Sequence, residues 1–146
     1  MTTKPIIYLA GGIAYNTFDE ATQWRRQATD YLSQYNIETR DPMRGKRAYQ
    51  WADGEANHDH PGFSASDIFH RDIADIDEST ALLINMESVR SVGTPWEMGY
   101  AYALGKPLFI VAPLELLTHP FICVPAYMLT NKLSHALEAI AIWSIE

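Results

Sequence analysis

The chain is poor in cysteine and in long apolar runs. Cys123 is the single cysteine among 146 residues, which excludes an intramolecular disulfide and a cysteine-rich zinc site. No apolar run approaches the ~20 residues needed to cross a bilayer. The first residues lead into the apolar run Ile6–Ala10 and show no signal-peptide pattern. These absences predict a protein of the reducing cytoplasm without a membrane partner.

Basic residues are also scarce. Eleven lysines and arginines stand against 18 acidic residues, which gives a formal net charge of -7. Binding to a nucleic-acid polymer requires a basic face, so this charge argues against such a partner, whereas a small nucleotide needs only a few local donors. The chain also lacks the Gly-x-Gly-x-x-Gly, Gly-x-x-x-x-Gly-Lys and Gly-x-Ser-x-Gly motifs. We therefore predict no cofactor.

Apolar runs alternate with segments of helical spacing along the chain. The length predicts one domain over residues 1–146. The alternation predicts an α/β, doubly wound fold, in which helices cover both faces of an open, mostly parallel sheet of five strands. In the first helix, the charged residues Glu20, Arg25, Arg26 and Asp30 are expected mostly on the outer face. Residues from about 43 to 62 show no period and predict a lid-like loop.

Ligands bind at the carboxyl ends of strands in such sheets, and polar residues gather there. By spacing alone, Glu97 is an acid that completes a capping box with Thr94, with Pro95 at the first helical position. Asp72 fits the solvated face of a helix, and Tyr8 fits a core tyrosine. The His58-Asp59-His60 run is interpreted as a solvated loop, because further ligands at metal-binding spacing are missing. We therefore predict no metal site.

Three motifs together change this interpretation. Tyr8-Leu-Ala-Gly-Gly12, Arg71-Asp72-Ile73, and Gly93-Thr-Pro-Trp-Glu-Met-Gly-Tyr-Ala101 with Gly105-Lys-Pro107 resemble the nucleoside 2-deoxyribosyltransferase family. The resemblance implies a flavodoxin-like (Rossmann-like) three-layer domain that cleaves the N-glycosidic bond of 2′-deoxynucleosides or their 5′-monophosphates. It implies three catalytic roles: Glu97 as the nucleophile, Asp72 as the acid near the base, and Tyr8 as the residue that positions the nucleophile.

The resemblance also implies a set of substrate-binding residues, namely Gly11, Gly12, Ile13, Met43, Arg44, Ser91, Gly93 and Thr94. Ser91 stands where the nucleoside transferases typically have an aspartate and the related nucleotide N-glycosidases have a serine. Because a carboxylate there would repel phosphate, the serine favours a nucleoside 5′-monophosphate. Water as the acceptor gives a hydrolase. The alternatives are 2′-deoxyribosyl transfer between bases and a non-catalytic nucleotide-binding or sensing module.

Members of this family usually build the pocket across a subunit interface. The resemblance therefore implies a homodimer or a higher homo-oligomer with sites near that interface. The apolar segment His119–Pro125 corresponds to the part that reaches the neighbouring subunit. The expected partners of the protein are thus a small nucleoside or nucleotide and a second copy of the chain.

Overall fold

Within the residues that the structure describes, the sheet has five strands, and the pairs between them are all parallel. The computed structural model describes residues 3–13, 17–44, 64–86 and 91–146. The strand order β2-β1-β3-β4-β5 is the flavodoxin-like order, with a change of direction between β1 and β3 where ligands bind. The predicted α/β fold is confirmed. The strands are β1 (Ile6–Gly11), β2 (Glu38–Arg40), β3 (Ala81–Asn85), β4 (Leu108–Val111) and β5 (Met128–Thr130).

Helices cover both faces of this sheet. They are α1 (Phe18–Ser33), α2 (Ala65–Glu78), α3 (Gly93–Ala103), α4 (Pro120–Cys123) and α5 (Leu133–Ser144). Side chains of α1 and α5 pack with Ile7 and Leu9 on one face, whereas α2, α3 and α4 pack with Tyr8 and Ala10 on the other. Because side chains alternate along a strand, β1 directs Tyr8 to the face that carries α2 and α3.

Local sequence determines where the first two long helices begin. The Thr17 hydroxyl accepts from the Glu20 N–H while the Glu20 carboxylate accepts from the Thr17 N–H, which completes a capping box at α1. Ser64 and Asp67 form the same reciprocal pair at α2. Each box satisfies two N–H groups that a helix start leaves without intrahelical partners.

The described residues include only the start of the predicted lid, and they allow the expectation on membrane helices to be checked only in part. Most of the predicted lid, residues 45–62, lies outside them; its first residues, Met43 and Arg44, lie inside. In the described part of the chain, no helix is long and apolar enough to cross a membrane.

Candidate active site

Tyr8 and Glu97 meet at the carboxyl end of the sheet. Tyr8 is fully buried on β1, and its hydroxyl donates a hydrogen bond to Oε2 of Glu97. Glu97 lies in α3 and is half-buried. Because side chains alternate along β1, Tyr8 points towards α3. Two residues that are 89 positions apart in sequence are thereby joined by a hydrogen bond. A carboxylate held in this way has a fixed direction and remains partly accessible to a ligand.

The start of α3 differs from the predicted capping box. The helix begins at Gly93, so Thr94 is its second residue and Pro95 its third, and the prediction of Thr94 as the cap and Pro95 as the first residue was wrong. The hydroxyl of Ser91 accepts from the Thr94 N–H at 3.2 Å and lies 2.8 Å from the Thr94 hydroxyl. Ser91 therefore makes the contact of a capping side chain. Glu97 lies beyond the first turn and contacts Tyr8 instead.

Asp72 is the second carboxyl group of this region. It lies in α2 and is half-buried rather than fully solvated. Burial raises the pKa of Tyr8 well above its usual value, and the negative charges of Glu97 and Asp72 raise this pKa further. The phenol of Tyr8 therefore remains protonated and keeps donating to Glu97 at physiological pH.

The predicted glycines follow directly at the end of β1. A Cβ atom on Gly11 would lie 2.7 Å from Cζ2 of Trp24 and 3.1 Å from the carbonyl oxygen of Asn85. Only glycine fits between these two groups without movement of the backbone or of Trp24. Gly12 and Ile13 continue from it and are half-buried. The structure thus places this short turn at the same sheet edge as Tyr8.

Met43 and Arg44 lie after β2, at the entrance to the predicted lid. Met43 is buried, whereas the Arg44 guanidinium forms a two-pronged ion pair with Asp75 at 2.6 and 2.7 Å. Arg71 in turn donates to the Arg44 carbonyl at 2.7 Å. These contacts join Arg44 to α2 and do not connect it to Glu97. A role of Arg44 in substrate binding stays a prediction.

Arg25 is the residue near this site that sequence reasoning misplaced. It was expected on the outer face of α1, but its side chain has no solvent exposure. Burial lowers the pKa of Arg25, whereas Asp41, Tyr8, Glu97 and Asp72 raise this pKa. A signal was available in the sequence, since position 25 lies three residues before Ala28 and four after Ala21, on the buried stripe.

The described residues include no cluster of three or more His, Cys, Asp or Glu side chains arranged to hold a metal ion. The His58-Asp59-His60 run lies outside these residues. The side chains that the described site brings together are the carboxyls of Asp72 and Glu97 and the phenol of Tyr8. Such a set is suited to nucleophilic attack and proton transfer at a polarised carbon.

Comparisons with solved structures identify the same fold in deoxyribosyltransferases. A 2-deoxyribosyltransferase from the psychrotolerant bacterium Bacillus psychrosaccharolyticus matches with a TM-score of 0.70 and 17% identity, over 93% of this chain and 95% of that one. A 2-desoxiribosyltransferase from Leishmania mexicana matches with a TM-score of 0.67 and 17% identity, over 94% and 97%. The molybdenum cofactor binding protein from the phototrophic bacterium Rippkaea orientalis matches with a TM-score of 0.61 and 13% identity, over 98% and 99%.

Sequence comparison with curated proteins gives no match. The model of one protein family, however, matches residues 7–119, and its description is nucleoside 2-deoxyribosyltransferase. That range includes α2, α3 and all of β1 except Ile6, and with them Tyr8, Asp72 and Glu97. The chain therefore belongs to the nucleoside 2-deoxyribosyltransferase family and is an enzyme that acts on a glycosyl bond.

Proposed function

We propose that the chain hydrolyses the N-glycosidic bond of a 2′-deoxynucleoside 5′-monophosphate or a 2′-deoxynucleoside, with Glu97 as the nucleophile. The observation that carries this proposal is the hydrogen bond from the buried Tyr8 hydroxyl to the Glu97 carboxylate. A helix-capping acid would contact backbone N–H groups at the helix start. A carboxylate fixed by a phenol at the carboxyl end of a parallel sheet is instead suited to attack a bound ligand.

In the first step, a Glu97 oxygen attacks C1′ of the sugar while the bond from C1′ to the base nitrogen breaks. The bonding electrons leave with the base, and the Asp72 carboxyl group in its protonated form gives the base a proton. The transition state has oxocarbenium character, which a 2′-deoxy sugar favours because no 2′-hydroxyl withdraws electrons. The product is a glycosyl ester on Glu97. Tyr8 orients the carboxylate throughout through its hydrogen bond.

In the second step, water attacks C1′, the ester bond breaks, and Glu97 leaves as a carboxylate. The water loses its proton to Asp72, which returns to its starting form. If another nucleobase occupies the pocket before water, the same intermediate gives deoxyribosyl transfer. The chemistry on the enzyme is identical up to this point, so the acceptor decides between hydrolase and transferase.

Ser91 supports a monophosphate as the preferred substrate. Its hydroxyl lies at the start of α3, beside the Thr94 N–H and hydroxyl groups. The start of a helix presents N–H groups and a positive dipole end to an anion, and a neutral hydroxyl adds a further donor. An aspartate at position 91 would repel the phosphate instead. The predicted contacts of Gly93 and Thr94 belong to the same anion-binding helix start.

A second copy of the chain is proposed to cover the apolar groove between α3 and the segment around α4. The groove has a volume of about 790 Å³, and its lining includes Met98, Tyr102, Phe121 and Val124. Phe121 is 80% exposed and Val124 is 75% exposed. Large apolar side chains exposed next to each other mark protein interfaces. Since α3 also carries Glu97, this interface would lie close to the active site.

The test is a base-release assay with a panel of deoxynucleosides and their 5′-monophosphates, followed by chromatography. We expect release from wild type with a higher kcat/KM for the monophosphates. Glu97→Gln should lower kcat at least about 1,000-fold, because the nucleophile is lost. The matched control is Glu138→Gln, which changes an exposed glutamate of α5 and should retain wild-type rates.

Three outcomes would contradict parts of this proposal. Full activity in Glu97→Gln removes Glu97 from the role of nucleophile. Base exchange with an added second base, faster than release into water, assigns a transferase. Saturable nucleotide binding without any base release from wild type indicates a binding module and overturns the enzymatic mechanism. Mass spectrometry of the quenched reaction provides a direct check, because the glycosyl ester adds to the chain the mass of the sugar or sugar phosphate less one water.

A further inference from the structure

The edge of β1 that faces β2 extends beyond the end of β2. The two strands pair from Ile6 to Tyr8, and β2 ends at Arg40, whereas β1 continues to Gly11. On the β2 side, the Pro5 carbonyl accepts from the Glu38 N–H, while the Ile6 carbonyl faces the other way and accepts from Thr80. Carbonyls alternate sides along a strand, so those of Leu9 and Gly11 face β2.

The chain cannot extend β2 to satisfy these carbonyls. In a parallel ladder with this register, the donor for the Leu9 carbonyl would come from position 42, two residues after Arg40. Position 42 is a proline, which has no N–H group. The same register would pair the Gly11 carbonyl with the Arg44 N–H, which instead donates to the Asp41 carbonyl at 3.0 Å. The chain after β2 therefore provides neither carbonyl with a backbone donor at this end of the sheet.

Arg25 occupies the place of the missing strand. Its Nε donates to the Leu9 carbonyl at 3.3 Å and its Nη2 to the Gly11 carbonyl at 2.9 Å. The third nitrogen, Nη1, donates to the Ala21 carbonyl at 2.5 Å within α1. The guanidinium carbon lies 4.7 Å from the centre of the Trp24 ring, and Nε lies 3.8 Å from the Asp41 carboxylate. A buried cation with this set of contacts is fixed in position.

We propose that Arg25 is a positioning residue, which replaces the absent β2 backbone at the edge of β1 and so holds the Gly11–Ile13 turn in place at the end of the strand that carries Tyr8. The planar fork of a guanidinium is suited to this, since two nitrogens at fixed separation match two successive carbonyls on one strand side. The role rests on the proposed glycosidase function, because the turn it holds is a predicted substrate-binding element.

The same guanidinium supplies a positive charge close to the acids of the site. The titratable groups that face it are Asp41 after β2, Tyr8 on β1, Asp72 on α2 and Glu97 on α3. Arginine remains charged in proteins. Its attraction for the Glu97 carboxylate favours the ionised form of Glu97, which nucleophilic attack requires.

The test compares Arg25→Lys, which keeps the charge but loses the fork, with Arg25→Gln, which loses the charge. Arg26→Gln, at an exposed neighbouring position of α1, is the matched control. In Arg25→Lys we expect kcat to fall about 100-fold through misplacement of the turn, with the acid limb of the pH–rate profile unchanged. In Arg25→Gln we expect the acid limb to move about one unit to higher pH as well. The control should match wild type in kcat and in the position of the acid limb.

Two measurements work without turnover and separate this inference from the proposed function. Carbon-13 NMR of the Glu97 carboxyl, assigned with Glu97→Gln, should titrate at higher pH in Arg25→Gln than in wild type. Amide hydrogen exchange of Gly12 and Ile13 should be at least about tenfold faster in Arg25→Lys, because the turn loses its anchor. If wild type releases no base, the glycosidase function fails, and these two measurements still decide the role of Arg25.

The inference is overturned if folded Arg25→Lys retains wild-type kcat and wild-type exchange at Gly12 and Ile13. It is also overturned if Arg25→Gln leaves the Glu97 titration unmoved. Circular dichroism and thermal unfolding establish which variants are folded. If Arg25→Gln does not fold, Arg25→Lys alone decides: slow turnover and fast exchange support the inference, and wild-type values of both contradict it.

Discussion

Tyr8 combines full burial with a hydrogen bond to a carboxylate. Its hydroxyl is the donor and Glu97 the acceptor, so an ionised Tyr8 would place two negative charges in contact. Burial and the charges of Glu97 and Asp72 raise the pKa of Tyr8 accordingly. The protonated phenol is therefore part of the folded state, and its loss of a proton is coupled to unfolding.

This coupling predicts a stability difference at alkaline pH. Below about pH 10, the usual pKa of an exposed tyrosine, both states hold the proton and the contribution of Tyr8 is complete. Above it, the unfolded chain releases the proton while the folded chain retains it, so unfolding becomes more favourable as pH rises. Urea unfolding should therefore show that the free energy of unfolding of wild type falls faster than that of Tyr8→Phe between about pH 9 and about pH 11. Tyr127→Phe, at an exposed position outside the groove, is the control and should follow wild type.

A stability difference between wild type and Tyr8→Phe that stays constant over this pH range would contradict the coupling. It would mean that Tyr8 has the same pKa in the folded and the unfolded state. The expected direction is specific, because a tyrosine with a lowered folded-state pKa would give the opposite slope.

At the scale of elements, Lys106 joins α2 to the turn between α3 and β4. Gly105 ends α3 with a positive φ of 76°, and Lys106 follows it. Its ammonium group donates to the carbonyls of Ile76, Asp77 and Ser79 at 2.5, 2.8 and 2.7 Å, at the carboxyl end of α2. Carbonyls at the end of a helix have few backbone donors: that of Ile76 also accepts from the Ser79 N–H at 3.0 Å. A cation there also complements the helix dipole. The contact fixes α2, which carries Asp72, relative to α3, which carries Glu97.

Lys106→Met should therefore destabilise the protein by about 2–3 kcal/mol, because three carbonyls lose a charged donor. The apolar part of the side chain is preserved, so packing changes little. Urea unfolding measures the effect, and Lys4→Met at an exposed position is the control. A loss no larger than that of the control would show that water replaces the ammonium group at α2 without cost.

At the scale of the whole molecule, one face of α3 and the neighbouring α4 segment are not covered by any other element of the described chain. This is the groove of about 790 Å³ beside Phe121. The core clusters on the two sheet faces are closed by α1 and α5 on one side and by α2 and α3 on the other. The exposed apolar side chains of α4 extend the second cluster outward, which suits a second copy of the chain.

In the proposed dimer, Phe121→Glu should shift the equilibrium towards monomer, because it places a charge in an apolar interface. Sedimentation velocity at several protein concentrations measures this directly. Ile145→Glu, at an 81% exposed position near the carboxyl terminus of α5, is the control and should retain the wild-type state. A wild-type distribution in Phe121→Glu would place any dimer interface elsewhere.

Local sequence is sufficient to specify the strands and helix starts of this fold whose causes lie within a few residues. Apolar runs such as Ile6–Ala10 and Leu108–Ala112 became buried parallel strands, because each is covered on both faces. Thr17 and Ser64 began their helices because a capping box forms within four residues. The family resemblance carried by three motifs was confirmed over residues 7–119.

The tertiary structure decided which charged and polar side chains belong to the site. Spacing alone made Glu97 a partner of Thr94, but its carboxylate accepts from Tyr8, which only the fold brings near. Arg25 was expected on the outer face of α1 and is buried instead, and Asp75 of α2 is buried as well. Their burial depends on distant partners: open carbonyls at the edge of β1 for Arg25, and the Arg44 guanidinium for Asp75. A buried charge is stable only where such partners lie, and local sequence does not specify their position.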